Sequence, residues 1–155
     1  MYAFNKILLI FPALLWVLLP GCWGPPTIYP ITGKVTLGGK SFERLLVYFR
    51  PIKGEVNSYN LGVGETDKNG ELKLGSAGGQ GIAAGEYRVS FSCVYLKSSG
   101  KAVSSSEKPD DAGGGVVSIE RVKPPYDAAT SQESSPVLFK VKKGENRFDF
   151  DIPAK

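Results

Sequence analysis

Cys22 and Cys93 are the two cysteines of this 155-residue chain, and a cysteine thiolate is the strongest nucleophile that a protein side chain offers. Histidine is absent, which excludes Ser-His-Asp and Cys-His catalysis and zinc sites built on imidazole. Cys22 stands at the end of a fourteen-residue apolar stretch, Ile7–Pro20, that follows a single cation, Lys6. Because the stretch is too short to span a bilayer of about 30 Å, it is typical of an export signal.

The run Leu19-Pro20-Gly21-Cys22 resembles the lipobox of bacterial lipoproteins. In that family the cysteine thiol takes a diacylglycerol, and cleavage before the cysteine makes it the new amino terminus. Pro20 departs from the usual Ala or Ser. The resemblance implies that Leu19, Pro20 and Gly21 form the signal-cleavage motif, and that Cys22 is lipidated and thereby has membrane lipid as its partner.

An exported domain anchored to the cell membrane or the outer membrane, in the periplasm or at the cell surface, follows from that interpretation. Two alternatives stay open: an ordinary signal peptide cut near Gly21 that leaves Cys22 free, or an uncleaved anchor. Beyond Cys22, residues 22–30 hold three prolines and predict a polyproline tether no longer than about 25 Å.

Asp67, Asn69 and Glu71 carry oxygen atoms at alternate positions, as in a calcium loop. These few oxygens fall short of the six to eight that Ca²⁺ takes. The order of residue types instead predicts a tight turn formed by Asp67, Asn69 and Gly70. We expect no metal, no cofactor and no catalytic residue.

Two polar stretches interrupt the pattern of strands. Lys97–Gly115 is rich in Ser and Gly and predicts a flexible loop in which Asp110 and Asp111 are solvated charges. Arg121–Pro136 predicts a second polar loop, whose Tyr126 either stacks on a sugar or anchors the loop to the fold. Binding of a small ligand or a carbohydrate by these loops is the alternative function.

The composition points to one turn-rich β domain over residues 31–153, because the chain holds 19 Gly and 11 Pro. The net charge is only +4, and its cations are interspersed with carboxylates. A nucleic-acid partner is therefore not expected.

Alternating apolar residues predict the strands themselves. The clearest segments are Ile31–Leu37, Leu45–Pro51, Leu61–Thr66, Glu71–Gly75 and Gly85–Lys97, with an additional short strand over Val116–Glu120. Cys93 falls in the inward set of its strand and is expected to be a buried, reduced thiol. A last hairpin is predicted to turn at Gly144-Glu145, with Val141 facing Phe148, Phe139 facing Phe150 and Val137 facing Ile152.

Seven short strands without a helix predict an all-β fold, a single antiparallel seven-stranded β-sandwich of the transthyretin-like or immunoglobulin-like kind. Several motifs resemble the carboxypeptidase-regulatory-like domain, namely Ile31–Lys40, Val47–Phe49, Glu65–Leu74, Gly85–Val89 and Lys143–Phe150. The resemblance implies a transthyretin-like sandwich that serves as a non-catalytic interaction or structural module, with an envelope protein or a glycan as partner. Hydroxyisourate hydrolases share that fold, but the catalytic histidines and the carboxy-terminal tetrapeptide of those enzymes are missing here.

Strand direction also predicts how the domain is oriented. The tether joins the first strand at Ile31, so that end is expected to lie near the membrane. If successive strands reverse, the connections at the opposite end are Gly38–Arg44, Asp67–Gly70 and the stretch after Lys97.

Overall fold

The computed structural model describes residues 24–96 and 118–154, which form an all-β domain as predicted. The predictions for Leu19–Cys22 and for Lys97–Gly115, including Asp110 and Asp111, lie outside the described residues. The elements are β1 Ile28–Tyr29, β2 Ile31–Leu37, β3 Leu46–Pro51, β4 Gly62–Thr66, β5 Glu71–Ser76, β6 Gly79–Gln80, β7 Ile82–Ala83, β8 Gly85–Ser92, β9 Val94–Leu96, β10 Ser118–Glu120, α1 Ala128–Ser131, β11 Val137–Val141, β12 Asn146–Arg147 and β13 Phe150–Ile152.

One main sheet holds nine of these strands, in the order β11-β8-β3-β4-β5-β2-β12, with β13 also on β2 and β6 on β5. Two small sheets pair β1 with β7 and β9 with β10. The main sheet curls so that side chains from its two edges meet. The ring of Phe139 on β11 lies 5.2 Å from that of Phe148, which precedes β13.

The core is built by the predicted alternation. Leu45, Val47 and Phe49 are fully buried, as are Val89 and Phe91 on the neighbouring β8. Aromatic rings fill the space between the sheet edges, with Phe148 in contact with Phe49, Phe91, Phe139 and Phe150. Because edge-to-face and offset pairs add to the area that each ring buries, this cluster holds the curled sheet together.

The predicted antiparallel arrangement is wrong for the last part of the chain. Val141 pairs with Gly85 on β8, whereas β12 and β13 cross to the other edge and pair in parallel with β2. The main sheet is therefore mixed, and the predicted hairpin between Phe139 and Phe150 does not form. The alternation of apolar residues in the last strands suits pairing with β11 or with β2. Hydrogen bonds to β2 decide in its favour: the Phe148 N–H donates to the Thr32 carbonyl, and the Lys34 N–H donates to the Asp149 carboxylate.

Two segments expected to lack regular pairing are ordered. Ile28–Tyr29, predicted as part of the tether, pairs with Ile82–Ala83. The expectation of no helix is also wrong, because α1 lies in the predicted loop Arg121–Pro136. Asp127 caps this helix by accepting hydrogen bonds from the Thr130 N–H and the Ser131 hydroxyl.

Cys93 is a free thiol with no exposed surface, as predicted. Burial raises its pKa, although a hydrogen bond with Tyr95 opposes the shift. We expect a thiol reagent to leave Cys93 unlabelled in the native protein and to label it fully in denaturant, as measured by peptide mapping. Leu138→Cys, at a position 59% exposed, should react at once and serves as the control. Rapid native labelling of Cys93 would contradict the burial.

Two carboxylates fasten the carboxy-terminal strands to β2. Asp149 accepts from the Lys34 N–H at 2.8 Å and pairs with Arg147 at 2.6 Å. Asp151 accepts from the Thr36 hydroxyl at 2.6 Å. The hydrogen bond from Arg147 lowers the pKa of Asp149, and the one from Thr36 lowers the pKa of Asp151.

Acid should therefore loosen this edge. A lowered folded-state pKa stabilises the fold above the unfolded value of about 4, and that contribution is lost as the pH falls through the folded value. Solvent screening keeps the contribution of each exposed carboxylate below about 1 kcal/mol. In urea unfolding, the loss of stability between pH 7 and pH 3 should be smaller for an Asp149→Asn, Asp151→Asn double variant than for the parent. An equal loss would contradict this assignment.

Candidate functional site

The strands give the domain two distinct ends. We call the end with Ile31, Pro51 and Gly85 the near end, because the amino-terminal segment joins the sheet there. The far end holds Leu37 and Ser92, since β2 runs away from Ile31 and its neighbours β5, β4, β3 and β8 alternate in direction.

The expected placement of two connections at the far end is confirmed, for Gly38–Arg44 and Asp67–Gly70. The ends of β9 and β10, at Leu96 and Ser118, lie on the same side. This follows because the Tyr95 ring packs 6.0 Å from the Phe42 ring of the Gly38–Arg44 connection.

At the near end, residues 24–27 are exposed and have no regular secondary structure. Pro26 lines a depression of about 500 Å³ together with Lys53, Asn57 and Asn60. In the part of the chain that the structure describes, no helix is long and apolar enough to cross a bilayer. Cys22, the predicted lipid acceptor, stands two residues before the first described residue.

The predicted turn residues Asp67, Asn69 and Gly70 lie in a turn that is held by its own hydrogen bonds. One carboxylate oxygen of Asp67 accepts from the N–H groups of Asn69, at 2.8 Å, and Glu71, at 2.9 Å. The backbone bond from Glu71 is the main reason that the pKa of Asp67 is lowered. Gly70 has φ +81°, and a Cβ there would lie 2.7 Å from the Val35 carbonyl oxygen. These oxygens satisfy backbone donors, which is turn chemistry.

The far end carries a surface that combines cations with apolar side chains. We call it the far-end surface. It lines a depression of about 500 Å³ and includes Leu37, Lys40, Phe42, Ile119, Arg121 and Lys123.

Arg121 is the central group of this surface. Its guanidinium carbon lies 3.7 Å from the centre of the Tyr95 ring and 5.4 Å from that of Phe42. The backbone N–H of Arg121 donates to the Cys93 carbonyl at 3.0 Å, which fixes the backbone at this residue. Among residues 24–96 and 118–154, no carboxylate lies within ion-pair distance of this guanidinium. Within the described residues the guanidinium is therefore held by the two aromatic rings and not by a carboxylate.

The carboxylate of Glu120 also lines this depression, beside Arg121. Glu120 accepts from the Ser92 hydroxyl at 2.6 Å, the Cys93 N–H at 2.7 Å and the Val122 N–H at 2.9 Å. It thereby holds β10 against the end of β8. Cation-π contact beside exposed Ile119 gives the surface both a charged and an apolar part, which is the composition of interface centres.

Sequence reasoning missed the far-end surface. Phe42, Tyr95 and Arg121 are far apart in the chain, and each alone has the appearance of a core or surface residue. The one local signal is the predicted short strand Val116–Glu120, which Arg121 follows directly.

A third depression, of about 440 Å³, lies between β11 and the β12–β13 edge. Tyr126, Phe139, Phe148 and Phe150 contribute its aromatic lining. The Tyr126 ring lies 6.2 Å from that of Phe150, and its carbonyl accepts from the Phe91 N–H at 2.9 Å. Tyr126 thus anchors its loop to the sheet while it also faces the depression.

Comparison of the chain with protein-family models, with curated proteins and with solved structures finds no match in any of the three. Within the described residues, no group of three or more Cys, Asp or Glu side chains is placed to hold a metal ion.

Proposed function

We propose that the protein is an exported, lipid-anchored module of the cell envelope, which is not an enzyme and which presents its far-end surface to a partner. The acyl group on Cys22 is the anchor, and the partner is an envelope protein or a glycan. The carboxypeptidase-regulatory-like domain remains the proposed family. The observation that carries this proposal is that the amino-terminal segment and the far-end surface lie at opposite ends of the domain.

The anchor is tested by Cys22→Ser in cells that produce the full chain. Without a thiol no thioether to lipid forms, so the variant should leave the membrane fraction or remain as the unprocessed precursor. Cys93→Ser is the matched control, since it removes the other thiol and should leave fractionation unchanged. Normal processing and membrane attachment of the Cys22→Ser variant would overturn the proposed anchor.

The partner-binding role is tested by a photo-crosslinking residue at position 119 in cells. We expect adducts from position 119 and few from position 138, which is also exposed but lies on β11. Arg121→Gln should reduce the adducts by about fivefold or more, because it removes the charged hydrogen bonds to the partner. Equal yields from both positions, or no effect of Arg121→Gln, would contradict a role for this surface.

The alternative, a binder of small ligands or carbohydrates, is favoured by the aromatic depression that Tyr126 faces. Rings at a concave surface suit the apolar faces of a sugar. Glycan binding that is lost in Tyr126→Ala but kept in Arg121→Gln would establish this alternative in place of the first proposal.

A further inference from the structure

The near end is tied closely to the predicted lipid acceptor. Because Ile28–Tyr29 is paired to β7, only residues 23–27 separate Cys22 from the folded domain. At no more than about 3.6 Å per residue, this linker reaches roughly 20 Å even when fully extended. An acylated Cys22 would hold β1 within that distance of the lipid headgroups.

The segment between β3 and β4, residues 52–61, lies beside this attachment point. The Ile52 N–H donates to the Glu86 carbonyl at 3.0 Å, and the Tyr59 carbonyl accepts from Ala83 at 2.7 Å. Ala83 is the residue that pairs with Ile28. The segment is thus hydrogen-bonded to β7, which pairs with β1 directly after the linker.

Exposed apolar side chains concentrate here. Of the six exposed large hydrophobic residues in the described part of the chain, four lie between Ile52 and Val63. Ile52 is 40%, Val56 45% and Leu61 36% exposed, although none of the three belongs to a strand. Exposed apolar residues grouped in one segment are a feature of surfaces that contact a membrane or another protein.

Three lysines lie at the same end of the domain as these apolar residues. Lys53 belongs to the segment, and Lys142 and Lys143 follow β11 in the turn at the same end. The carboxylates at this end are Glu55, Glu86 and Glu145, of which Glu86 pairs with Lys140 at 3.8 Å. Cations exceed anions only slightly, so apolar contact is the main attraction and anionic headgroups add to it.

We propose that the near end rests on the bilayer that holds Cys22, with Ile52, Val56 and Leu61 in contact with lipid. This inference rests on the proposed function, since it requires the acyl anchor. The close attachment makes the bilayer the surface that these side chains meet at the highest effective concentration. The domain would stand with its far-end surface directed away from the membrane.

The test uses the full, acylated chain with Val56→Cys, labelled with an environment-sensitive fluorophore and reconstituted into phosphatidylcholine vesicles that contain nitroxide lipids. Ile119→Cys is the matched control, because Ile119 is 43% exposed but lies at the far end. Quenching at position 56 should exceed that at position 119 by about twofold or more. It should rise further when phosphatidylglycerol is included, because the lysines attract its charge.

Intact mass separates the two levels of failure. If Cys22 carries no acyl group, the proposed function itself fails. If Cys22 is acylated but quenching is equal at positions 56 and 119, only the membrane contact is overturned. Shielding of position 56 that rises with protein concentration and not with lipid would assign the surface to a second copy, and would also overturn the proposal.

Discussion

Gly33→Ala is expected to lower the free energy of unfolding by about 3 kcal/mol or more, which is the larger part of the stability of many small domains. Gly33 has φ +154°, and a Cβ at this position would lie 1.9 Å from the carbonyl oxygen of Phe148. The clash is with backbone, so it is relieved only if the crossing segment moves away from β2. That movement would break the Phe148 N–H bond to Thr32.

Gly39→Ala is the matched control. Gly39 also has a positive φ, +75°, but a Cβ there meets nothing within 4 Å. Gly39→Ala should lower the free energy of unfolding by about 1 kcal/mol, because it introduces backbone strain but no clash. Urea unfolding followed by circular dichroism measures both variants. Similar costs for the two would contradict the close approach of Phe148 to β2.

Phe148→Ala is expected to lower the free energy of unfolding by about 3–5 kcal/mol. The ring is 4% exposed. It joins the two edges of the sheet through contact with Phe139 on β11 at 5.2 Å, and it packs on Phe49 of the central strand β3 at 5.2 Å. Truncation leaves a cavity at the point where no backbone hydrogen bonds hold the edges together.

Leu138→Ala serves as the control for that variant, since Leu138 lies on β11, the edge that the Phe148 ring contacts, but is 59% exposed. Its cost should stay within about 0.5 kcal/mol. A Phe148→Ala variant as stable as Leu138→Ala would show that the curled sheet does not depend on the aromatic cluster.

The parts of the fold that sequence predicts are those set by local pattern. The alternation through Tyr87, Val89, Phe91 and Cys93 predicts both the strand and its buried face, because side chains in a strand point to opposite sides in turn. The partner of the last strands is set by contacts distant in sequence. The space at Gly33 and the bonds of the Asp149 and Asp151 carboxylates to β2 help to place β12 and β13 there, and none of these is visible in a period of two.

The ordered loop before β11 did leave a local signal. Asp127 stands three residues before Thr130, which is the spacing of a helix cap, but no helical period of apolar residues accompanies it. The pairing of Ile28 with Ala83 left no such signal, since three nearby prolines predict an extended linker. The far-end surface needs Phe42, Tyr95 and Arg121 from three separate segments, so it emerges only in the folded domain.

The intact mass of the mature protein, purified from its own membranes, tests lipid anchoring most directly. The expected result is a chain that begins at Cys22 and carries the added mass of a diacylglycerol, with or without a further acyl group on its amino terminus. An unmodified chain, or one that begins at another residue, would contradict the anchor and with it the orientation of the domain.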